Sequence, residues 1–529
     1  MELEGAALSS PAAPLSDLLR AGLEAAPDGI ALASIARSMS WLELERTSSA
    51  LAGAYRGLGL RPGDRIASLM PNRIDLLVHY LACFKAGLVA TPLNYRYTFR
   101  EIDHALEVSG ACALLGHVER VEDLAASRLA GRLECGLIAY RDPEAEAALE
   151  PGWPYRFEAL IESEPLAGDP GLDPASPAAI FFTSGSTGPA KGVTHTRESL
   201  RWMIASAASA FELGAEDVFL PGSSMSHLGS FLWSLSILSV GGRVVVARTI
   251  DSHELMGLLR EHQPTVLAML PAALIALVRD HDLQPHDFAS LRVCRAGSDK
   301  VSTELLAEFA AAAGFPISEG YGMTEVGLAT LNPPSGLNKP GSIGPLVCGY
   351  SISLRDDGGN PVSPGAVGRI FIRSRSRMAG YWNAPAATAA VVLDGWLDSG
   401  DLARADEDGY LWFYGRKKQI IVHDGSNIAP FEVESALAEH PAIALAGVVG
   451  VRDTVHGENV RAYVTVREGA PQPTSAEVIL FCRERVGYKA PEEVIFLDEM
   501  PLNPTGKVDR TGLKRMAEDH LHPHLDTQR

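Results

Sequence analysis

The chain has 529 residues, of which 46% are hydrophobic and 21% charged, and this composition is typical of a globular protein with two to four domains. Its 46 basic and 65 acidic side chains give a formal net charge of −19, which argues against nucleic acid or anionic lipid as a partner. The six cysteines are scattered without a Cys-x-x-Cys pair, so we expect reduced thiols rather than a zinc site or disulfide framework.

The amino terminus and the apolar segments predict a soluble protein. The opening residues, MELEGAALSS, are acidic where a signal peptide needs positive charge. The most apolar segments are GSFLWSLSILSVGGRVVVA, which serines and a Gly-Gly pair interrupt, and LAMLPAALIALV, which is too short to span a bilayer. We therefore expect no membrane span and a cytoplasmic location.

Helix and strand signals alternate through the first two thirds of the chain. Apolar residues recur at helical spacing in 16–28, 42–57 and 74–87, and the segments DRIASLMPN and LVATPLN are typical of strands. Further on, the predicted strands DVFLPG, RVVVAR, TVLAML, LRVCRAG and PISEGYG end in small residues, with predicted helices over 252–262 and 301–313. This alternation predicts layered α/β architecture with parallel sheets, whose ligands sit where the strands end.

The pattern changes after about residue 350. GYSISLRDDGGNPVSPGAVGRIFIR carries a Gly-Gly-Asn turn between two alternating segments, which predicts a hairpin in a small β-subdomain. DEDGYLWFYGRKKQIIVHDG predicts two short strands about a charged turn. Beyond it, the order helix, two strands and helix predicts a compact α+β unit.

The segment FFTSGSTGPAKGVTHT combines a predicted strand end with a loop of glycines and hydroxyl side chains. Backbone N–H groups in such a loop form a nest that binds anions, and Lys191 adds a positive charge. The spacing excludes a Walker A motif, because Ala190 precedes the lysine and Gly192 follows it. The loop therefore predicts a phosphate site of another kind, with a plain Ser/Gly turn as the alternative.

Three further motifs follow in order. In GYGMTE, Thr324 is a candidate phosphate contact and Glu325 a candidate Mg²⁺ ligand, or else a surface carboxylate. Asp401 follows Ser-Gly as a turn former or as an acceptor of ribose hydroxyls, and Arg416 opens a basic turn. In LNPTGKVDR, Pro and Gly frame Lys507, which is either an exposed charge or a cation delivered to a site.

Together and in this order, these four motifs resemble the adenylate-forming family over about residues 15 to 515. That family includes acyl-CoA and aryl-CoA ligases, adenylation domains of peptide synthetases and firefly-type luciferases. The resemblance implies a large N-terminal domain of layered, mostly parallel sheets with a small β-subdomain, and a small mobile α+β C-terminal domain. The implied boundaries are residues 1–414, a hinge at 415–419 with Gln419 at its pivot, and residues 420–529.

The resemblance also implies the roles of individual residues. Lys507, Glu325, Thr324 and His227 would be catalytic, and Glu325 with Thr187 would hold Mg²⁺. The residues that would bind ATP or AMP are Thr183, Ser184, Gly185, Ser186, Thr187, Gly188, Lys191, Ser298, Asp299, Gly320, Tyr321, Gly322, Met323, Thr324, Asp401, Arg416 and Lys507.

An acyl pocket and a thiol tunnel are implied as well. The pocket residues would be His227, Gly229, Ser230, Phe231, Gly297, Gly322, Met323, Gly327 and Leu328, and the tunnel residues His227, Gly425 and Ser426. No Asp occurs between Asp217 and Asp251, where amino-acid-activating members carry one, so the resemblance argues against an amino acid as substrate. Because the pocket glycines leave room and Phe231, Met323 and Leu328 are apolar, we expect an apolar or aromatic monocarboxylic acid.

Three positions depart from the family pattern. Proline comes one place early in GPAKG, the hinge residue Gln419 is uncharged, and the adenine loop contains the bulkier and charged AGSDK at 296–300. We expect the hinge to work, because rotation needs backbone freedom more than charge. The bulkier and charged residues of AGSDK set the contacts of this loop with the adenine base apart from the family pattern.

The expected reaction is ATP-dependent conversion of the acid to acyl-AMP and pyrophosphate, followed by transfer to CoA. Alternatives are an acyl-AMP ligase that loads a separate carrier protein, a catalytically silent nucleotide sensor and a luciferase-type oxygenase. The resemblance leaves a homodimer open.

Overall fold

The computed structural model describes residues 1–142, 152–166, 171–183, 190–279, 285–297, 301, 303–423, 426–453, 457–503 and 507–521. Its strands, in chain order, are β1 Glu2–Glu4, β2 Ile30–Ala33, β3 Ser38–Ser40, β4 Arg65–Leu69, β5 Val89–Pro92, β6 Ala113–His117, β7 Gly136–Tyr140, β8 Tyr155–Arg156, β9 Pro177–Thr183, β10 Lys191–Thr196, β11 Val218–Gly222, β12 Arg243–Val245, β13 Val266–Met269, β14 Val293–Ala296, β15 Gly320–Met323, β16 Gly327–Leu331, β17 Tyr350–Arg355, β18 Gly368–Ser374, β19 Gly380–Tyr381, β20 Val392–Leu393, β21 Trp396–Ala405, β22 Leu411–Arg416, β23 Ile421–His423, β24 Ser426–Ile428, β25 Ile443–Asp453, β26 Gly457–Val466 and β27 Glu493–Phe496.

The α-helices, in chain order, are α1 Arg20–Ala25, α2 Trp41–Gly57, α3 Ile74–Ala86, α4 Phe99–Ser109, α5 Val121–Ala126, α6 Phe157–Leu160, α7 Arg197–Ala210, α8 Leu228–Ser239, α9 Ser252–His262, α10 Pro271–Arg279, α11 Thr303–Ala313, α12 Pro385–Ala389, α13 Pro430–Ala438, α14 Ser475–Val486 and α15 Arg510–Leu521. Local signals explain their ends. Ser40 and Glu43 form a capping box at the start of α2, and Gly87 closes α3 in the left-handed conformation at φ +76°. Among the described residues, no helix combines the length and hydropathy needed to cross a membrane.

Two sheets built from strand–helix–strand units form most of the molecule. The eight-stranded sheet has the order β19-β10-β9-β5-β4-β6-β7-β8 and is parallel from β9 to β8. The six-stranded sheet has the order β14-β13-β11-β12-β2-β3 and is parallel from β14 to β2. The prediction of layered, mostly parallel sheets is therefore confirmed.

The main hydrophobic core joins these layers through α3 and α8. Every residue of α3 is buried, including its polar residues Asp75, His79 and Lys85. Tyr80 of α3 packs edge-on against Phe231 of α8 with the ring centroids 4.9 Å apart, and Phe181 of β9 contacts the same ring at 5.0 Å. These contacts fix the carboxyl ends of β9 and β11 relative to each other.

The predicted hairpin over 350–374 is present. β17 and β18 are antiparallel, with Gly359 at φ +84° in the turn, and β21, β20, β22 and the amino-terminal β1 complete a six-stranded sheet. This sheet is the β-subdomain that the sequence predicts, and it presents β21 and β22 side by side.

Residues after Gln419 form a sheet of their own. β23 to β27 make five strands, packed by α13, α14 and α15, and an ion pair joins Arg510 of α15 to Glu434 of α13. The two short strands predicted about the charged turn are β22 and β23, and they belong to different sheets. A 3-10 turn at Lys417–Gln419 carries the chain from one sheet to the other. That Gln419 is a hinge stays a prediction.

Candidate functional site

The predicted phosphate loop lies between two paired strands. β9 and β10 are antiparallel, and Thr183 lies directly opposite Lys191, so residues 184–190 connect the two ends of this pair. Ser184, Gly185, Ser186, Thr187 and Gly188 lie outside the described residues. The Lys191 ammonium stands 4.9 Å from the centroid of the Tyr381 ring, and the Ala190 carbonyl lies 2.8 Å from Nε2 of His104. Lys191 is exposed and lies beside the tyrosine whose hydroxyl donates to Glu325.

The GYGMTE motif forms a tight hairpin of β15 and β16. A Cβ at Gly322 would collide with the carbonyl of Gly327, and a Cβ at Gly320 would lie 2.6 Å from the carbonyl of Thr330. Gly327 itself has φ +77° and faces Met203, with which a Cβ would also clash. The hairpin therefore needs these glycines for its own geometry, and it holds Thr324 and Glu325 at its tip.

Glu325 is a buried carboxylate with one hydroxyl partner. It is 7% exposed, and its Oε1 accepts a hydrogen bond of 2.9 Å from the hydroxyl of Tyr381. Burial raises the pKa of Glu325, while the Tyr381 hydrogen bond opposes that rise. No Lys or Arg forms an ion pair with Glu325 in the described part of the chain. A buried hard oxygen donor without a counter-ion fits Mg²⁺, which prefers such ligands.

Asp401 and Tyr321 form a second polar group beside this hairpin. Asp401 is 5% exposed and accepts a hydrogen bond of 2.7 Å from the Tyr321 hydroxyl. Its other oxygen lies 3.2 Å from Nε of Arg416, the residue directly opposite on β22. Burial raises the pKa of Asp401, and the charges of Arg416 and Lys507 oppose that rise. The Tyr321 ring stacks on Phe413 with the centroids 6.2 Å apart.

His227 is the N-cap residue of α8 and lies five positions after the end of β11. Its Nε2 lies 3.4 Å from Nδ2 of Asn94, which follows β5 at the corresponding end of the other parallel sheet. Burial lowers the pKa of His227 to about 4, and the positive charge of Lys507 acts in the same direction. The imidazole is therefore neutral at physiological pH, and it lies where the carboxyl ends of two parallel sheets meet.

Lys507 brings the C-terminal sheet to this group of residues. Its backbone is fixed by Asn503, whose amide donates to the Lys507 carbonyl at 2.7 Å and whose Oδ1 accepts from the Lys507 amide at 3.1 Å. Its charge acts on both His227 and Asp401, although they lie 174 positions apart in the sequence (401 − 227). The structure therefore brings Lys507, Asp401 and His227 together.

The remaining predicted residues are placed as follows. Phe231 is fully buried in the core, Ser230 shares a hydrogen bond of 2.5 Å with Ser223, and Leu328 is buried in β16. Met323 lies on β15 and Ser426 at the start of β24. Ser298, Asp299 and Gly425 lie outside the described residues. The assignment of these positions to pocket, adenine loop or tunnel stays a prediction.

Three contacts near the site escape the sequence motifs. The Tyr381 hydroxyl donates to Glu325, and the Nε2 of buried His195 lies 2.8 Å from the Thr324 carbonyl, which fixes the backbone of the motif. Burial lowers the pKa of His195 to about 4, so this histidine is neutral and its Nε2 carries the donated proton. The signal available in the sequence was only that His195 stands within β10, next to the phosphate loop.

The third missed feature is a buried cation. Arg295 on β14 is 8% exposed, and its guanidinium carbon lies 5.4 Å from the centroid of the Trp233 ring. A cation–π contact contributes about 0.5–2 kcal/mol. Removing an ion from water costs several kcal/mol, so the Trp233 contact alone does not offset the burial of this charge.

Comparison with known proteins agrees with this geometry. The sequence profile of the AMP-binding enzyme matches residues 19–382, and that of the AMP-binding enzyme C-terminal domain matches residues 432–507. A feruloyl-CoA synthase of Amycolatopsis sp is 33% identical over 485 residues, which cover 90% of this chain and 94% of the relative. A fatty acid–[acyl-carrier-protein] ligase of Streptomyces coeruleorubidus is 30% identical over 492 residues, covering 90% and 91%. The ATP-bound crystal structure of MatB from Rhodopseudomonas palustris superposes with a TM-score of 0.88 at 27% identity, covering 96% of this chain and 99% of that one.

Proposed function

Because the chain belongs to the AMP-binding enzyme family, we propose that it is an acyl-CoA synthetase that activates a carboxylic acid with ATP. The first half-reaction joins the acid to the α-phosphorus of ATP, giving acyl-AMP and pyrophosphate. The second transfers the acyl group to the thiol of CoA and releases AMP. The single observation that carries this proposal is the convergence of Lys507, Asp401 and His227 beside the Glu325 hairpin.

The charges at the site suit the first half-reaction. The attacking carboxylate and the triphosphate are both anions, so the reaction needs positive charge where negative charge develops in the transition state. Lys507 supplies such a charge from the C-terminal sheet, on the side of Asp401 and His227. Bound Mg²⁺ would supply the second positive charge, with Glu325 as its protein ligand and Thr187 as the proposed partner. No general base is required, because the acid is ionised near neutral pH.

Asp401 suits recognition of a ribose. Both its oxygens are already engaged, one by Tyr321 and one by Arg416, so the carboxylate has a fixed orientation. A carboxylate offers about four lone-pair sites, which leaves capacity for two hydroxyl donors. Tyr321, Gly320 and Gly322 would lie against the adenosine, and Thr183 and Lys191 would border the pyrophosphate.

His227 suits the boundary between acid and thiol. It is neutral, held by Asn94, and half-buried, so it can separate the acyl pocket from the proposed thiol tunnel without charge repulsion or attraction. We propose that rotation of residues 420–529 about Gln419 then replaces Lys507 by the segment around Ser426, which admits the thiol.

An acid panel tests this function directly. The purified chain is incubated with ATP, Mg²⁺, CoA and single acids, and pyrophosphate release and the thioester mass are measured. We expect both signals with at least one apolar or aromatic acid. Absence of pyrophosphate across the panel would instead support a nucleotide sensor.

A second candidate acceptor has its own support. The relative from Streptomyces coeruleorubidus is a fatty acid–[acyl-carrier-protein] ligase, so a carrier protein is the alternative to CoA. Pyrophosphate release without a CoA thioester, followed by acylation of an added phosphopantetheinylated carrier, would favour this alternative. Light emission with added luciferin would favour a luciferase-type oxygenase.

A further inference from the structure

Arg295 is a charged residue on an otherwise apolar face of a central sheet. On β14 it alternates with Cys294 and Ala296, which face the core around α9 to α11. Its strand neighbour Val293 and the β13 residue opposite, Ala268, belong instead to the main core, which also contains Trp233. Arg295 therefore projects toward α8, into the layer that lies behind the predicted acyl pocket.

The guanidinium has no counter-charge in the described part of the chain. Its Nε is buried without a hydrogen-bond partner there, and the contact found for it is the Trp233 ring. Burial lowers the pKa of Arg295 to about 10, which still leaves the group charged at physiological pH. Buried charges in proteins are normally paired, so we expect a ligand to supply the anionic partner of the Arg295 guanidinium.

The neighbouring Arg292 is a structural arginine that is paired within the chain. Its Nε and one terminal nitrogen donate to the two oxygens of Asp217 at 2.8 and 2.6 Å. Further donors bind the carbonyls of Phe211 and Glu212. Arg292 thus has a carboxylate supplied by the chain, whereas Arg295, three positions later, has none among the described residues.

The position of Arg295 connects it with the acyl site. A Cβ at Gly297 would collide with its guanidinium, so the cation lies over the glycine that follows β14. The indole of Trp233 lies beside Gly229, where a Cβ would be 3.5 Å from Nε1. Trp233 lies six positions after His227, which corresponds to about 9 Å along α8. The cation therefore lies against Gly297 and, through Trp233, next to Gly229, two residues of the predicted acyl pocket.

We propose that Arg295 binds a second, distal carboxylate of the acid substrate, so that the enzyme prefers dicarboxylic acids with an apolar or aromatic spacer. This inference rests on the proposed function and names its substrate class. An anion in this place would satisfy the free donors of the guanidinium, and a planar carboxylate matches its fork geometry. It differs from the monocarboxylic acid that the family resemblance implies.

Pairs of matched acids distinguish an enzyme that prefers dicarboxylic acids from one that prefers monocarboxylic acids. Terephthalate is compared with para-toluate, and suberate with octanoate, by the kcat/KM of thioester formation. We expect the native enzyme to favour the dicarboxylate of each pair. In Arg295→Met the dicarboxylate values should fall by about 30-fold or more, because removing one partner of a buried charge pair has an effect of that size. The values for para-toluate and octanoate should remain or rise, and Arg295→Lys should restore part of the preference.

The control is Arg292→Met, at the residue that directly precedes β14. This variant should lower the midpoint of thermal unfolding but leave unchanged the ratio of the kcat/KM values for the two acids of each pair. That ratio does not depend on the amount of folded enzyme. Calorimetric titration of terephthalate into the native chain and into Arg295→Met gives a readout without turnover. If no acid is activated but the native chain alone binds terephthalate, the inference stands and the proposed function falls. A preference of the native enzyme for para-toluate and octanoate would overturn the inference. The same would follow if Arg295→Met changed the KM for ATP equally with every acid.

Discussion

At the scale of single residues, the site depends on side chains that are buried and that have few partners. Glu325 has a raised pKa because it is buried, and Tyr381 donates the hydrogen bond that stabilises its ionised form. His227 and His195 have lowered pKa values because burial disfavours their charged forms. The site therefore combines a carboxylate that needs a cation with histidines that stay neutral.

Tyr381→Phe should shift the pH dependence of the enzyme. A ligand for Mg²⁺ must be ionised, so activity that depends on Glu325 is present above its raised pKa and lost as the pH falls through it. Without the tyrosine hydrogen bond that pKa should rise further, because the hydrogen bond stabilises the ionised form of the carboxylate. We expect the acid limb of kcat/KM against pH to move to higher pH.

Tyr410→Phe is the matched control, because the Tyr410 hydroxyl donates to the Leu337 carbonyl, a contact of the β-subdomain. It should leave the acid limb in place. An acid limb that is identical in native enzyme and Tyr381→Phe would show that Tyr381 does not stabilise the ionised carboxylate during turnover.

At the scale of elements, the β15–β16 hairpin is the part whose geometry most restricts the sequence. A side chain has no room at Gly320 and Gly322, where it would meet the paired strand, or at Gly327, where it would meet Met203 of α7. The hairpin carries Thr324 and Glu325 between two strands, and His195 of β10 fixes the carbonyl of Thr324 from outside. The glycines of this motif therefore serve the backbone first, and through it the site.

Gly327→Ala should destabilise the fold more than a typical glycine substitution. At φ +77° an alanine is strained, and its Cβ would also clash with Met203. Strain of this kind costs about 1–3 kcal/mol, and the clash adds to it. We expect a lower midpoint of thermal unfolding and a loss of acid activation, because the hairpin tip would move.

Gly395→Ala gives the comparison, since Gly395 has φ +81° with open space around its Cβ position. It should show the backbone strain alone. If both variants lose the same thermal stability, the packing against Met203 contributes nothing.

At the scale of the whole molecule, the site is shared between two parts of the chain. The N-terminal sheets supply His227, Glu325 and Asp401, while Lys507 comes from the unit built on β23 to β27. Phe413 of β22 contacts Phe431 of α13 edge-on with the ring centroids 6.3 Å apart, so the two parts meet next to Asp401 and Arg416. The position of the C-terminal unit therefore decides whether Lys507 faces the site.

Lys507→Ala should divide the reaction into its halves. We expect loss of acyl-AMP formation, measured as acid-dependent pyrophosphate release, with retained thioester formation from acyl-AMP prepared in advance. The reason is that Lys507 offsets negative charge only while the carboxylate attacks the phosphorus.

Lys514→Ala provides the control on the same unit, because Lys514 is an exposed lysine 3.7 Å from Glu458. Both halves should proceed normally in that variant. Equal loss of the two half-reactions in Lys507→Ala would contradict the assignment of this lysine to the first half alone.

The local features of this protein were determined by its sequence. Apolar periodicity placed α3 and α9, the Gly-Gly-Asn turn placed the β17–β18 hairpin, and the alternation of strands and helices predicted the parallel sheets. The four motifs pointed to adenylate-forming chemistry because each is a short segment whose residue types and spacing already indicate its function. Such signals depend on neighbours in the chain, so they can be read without the fold.

Contacts between distant segments were decided only by the tertiary structure. Tyr381 meets Glu325 across 56 positions, His195 meets Thr324 across 129, and Asn94 meets His227 across 133. The counter-charge that Arg292 has, and that Arg295 lacks among the described residues, is likewise a property of packing. An arginine in the sequence shows its charge, but only the fold determines whether that charge is paired, hydrated or left for a ligand.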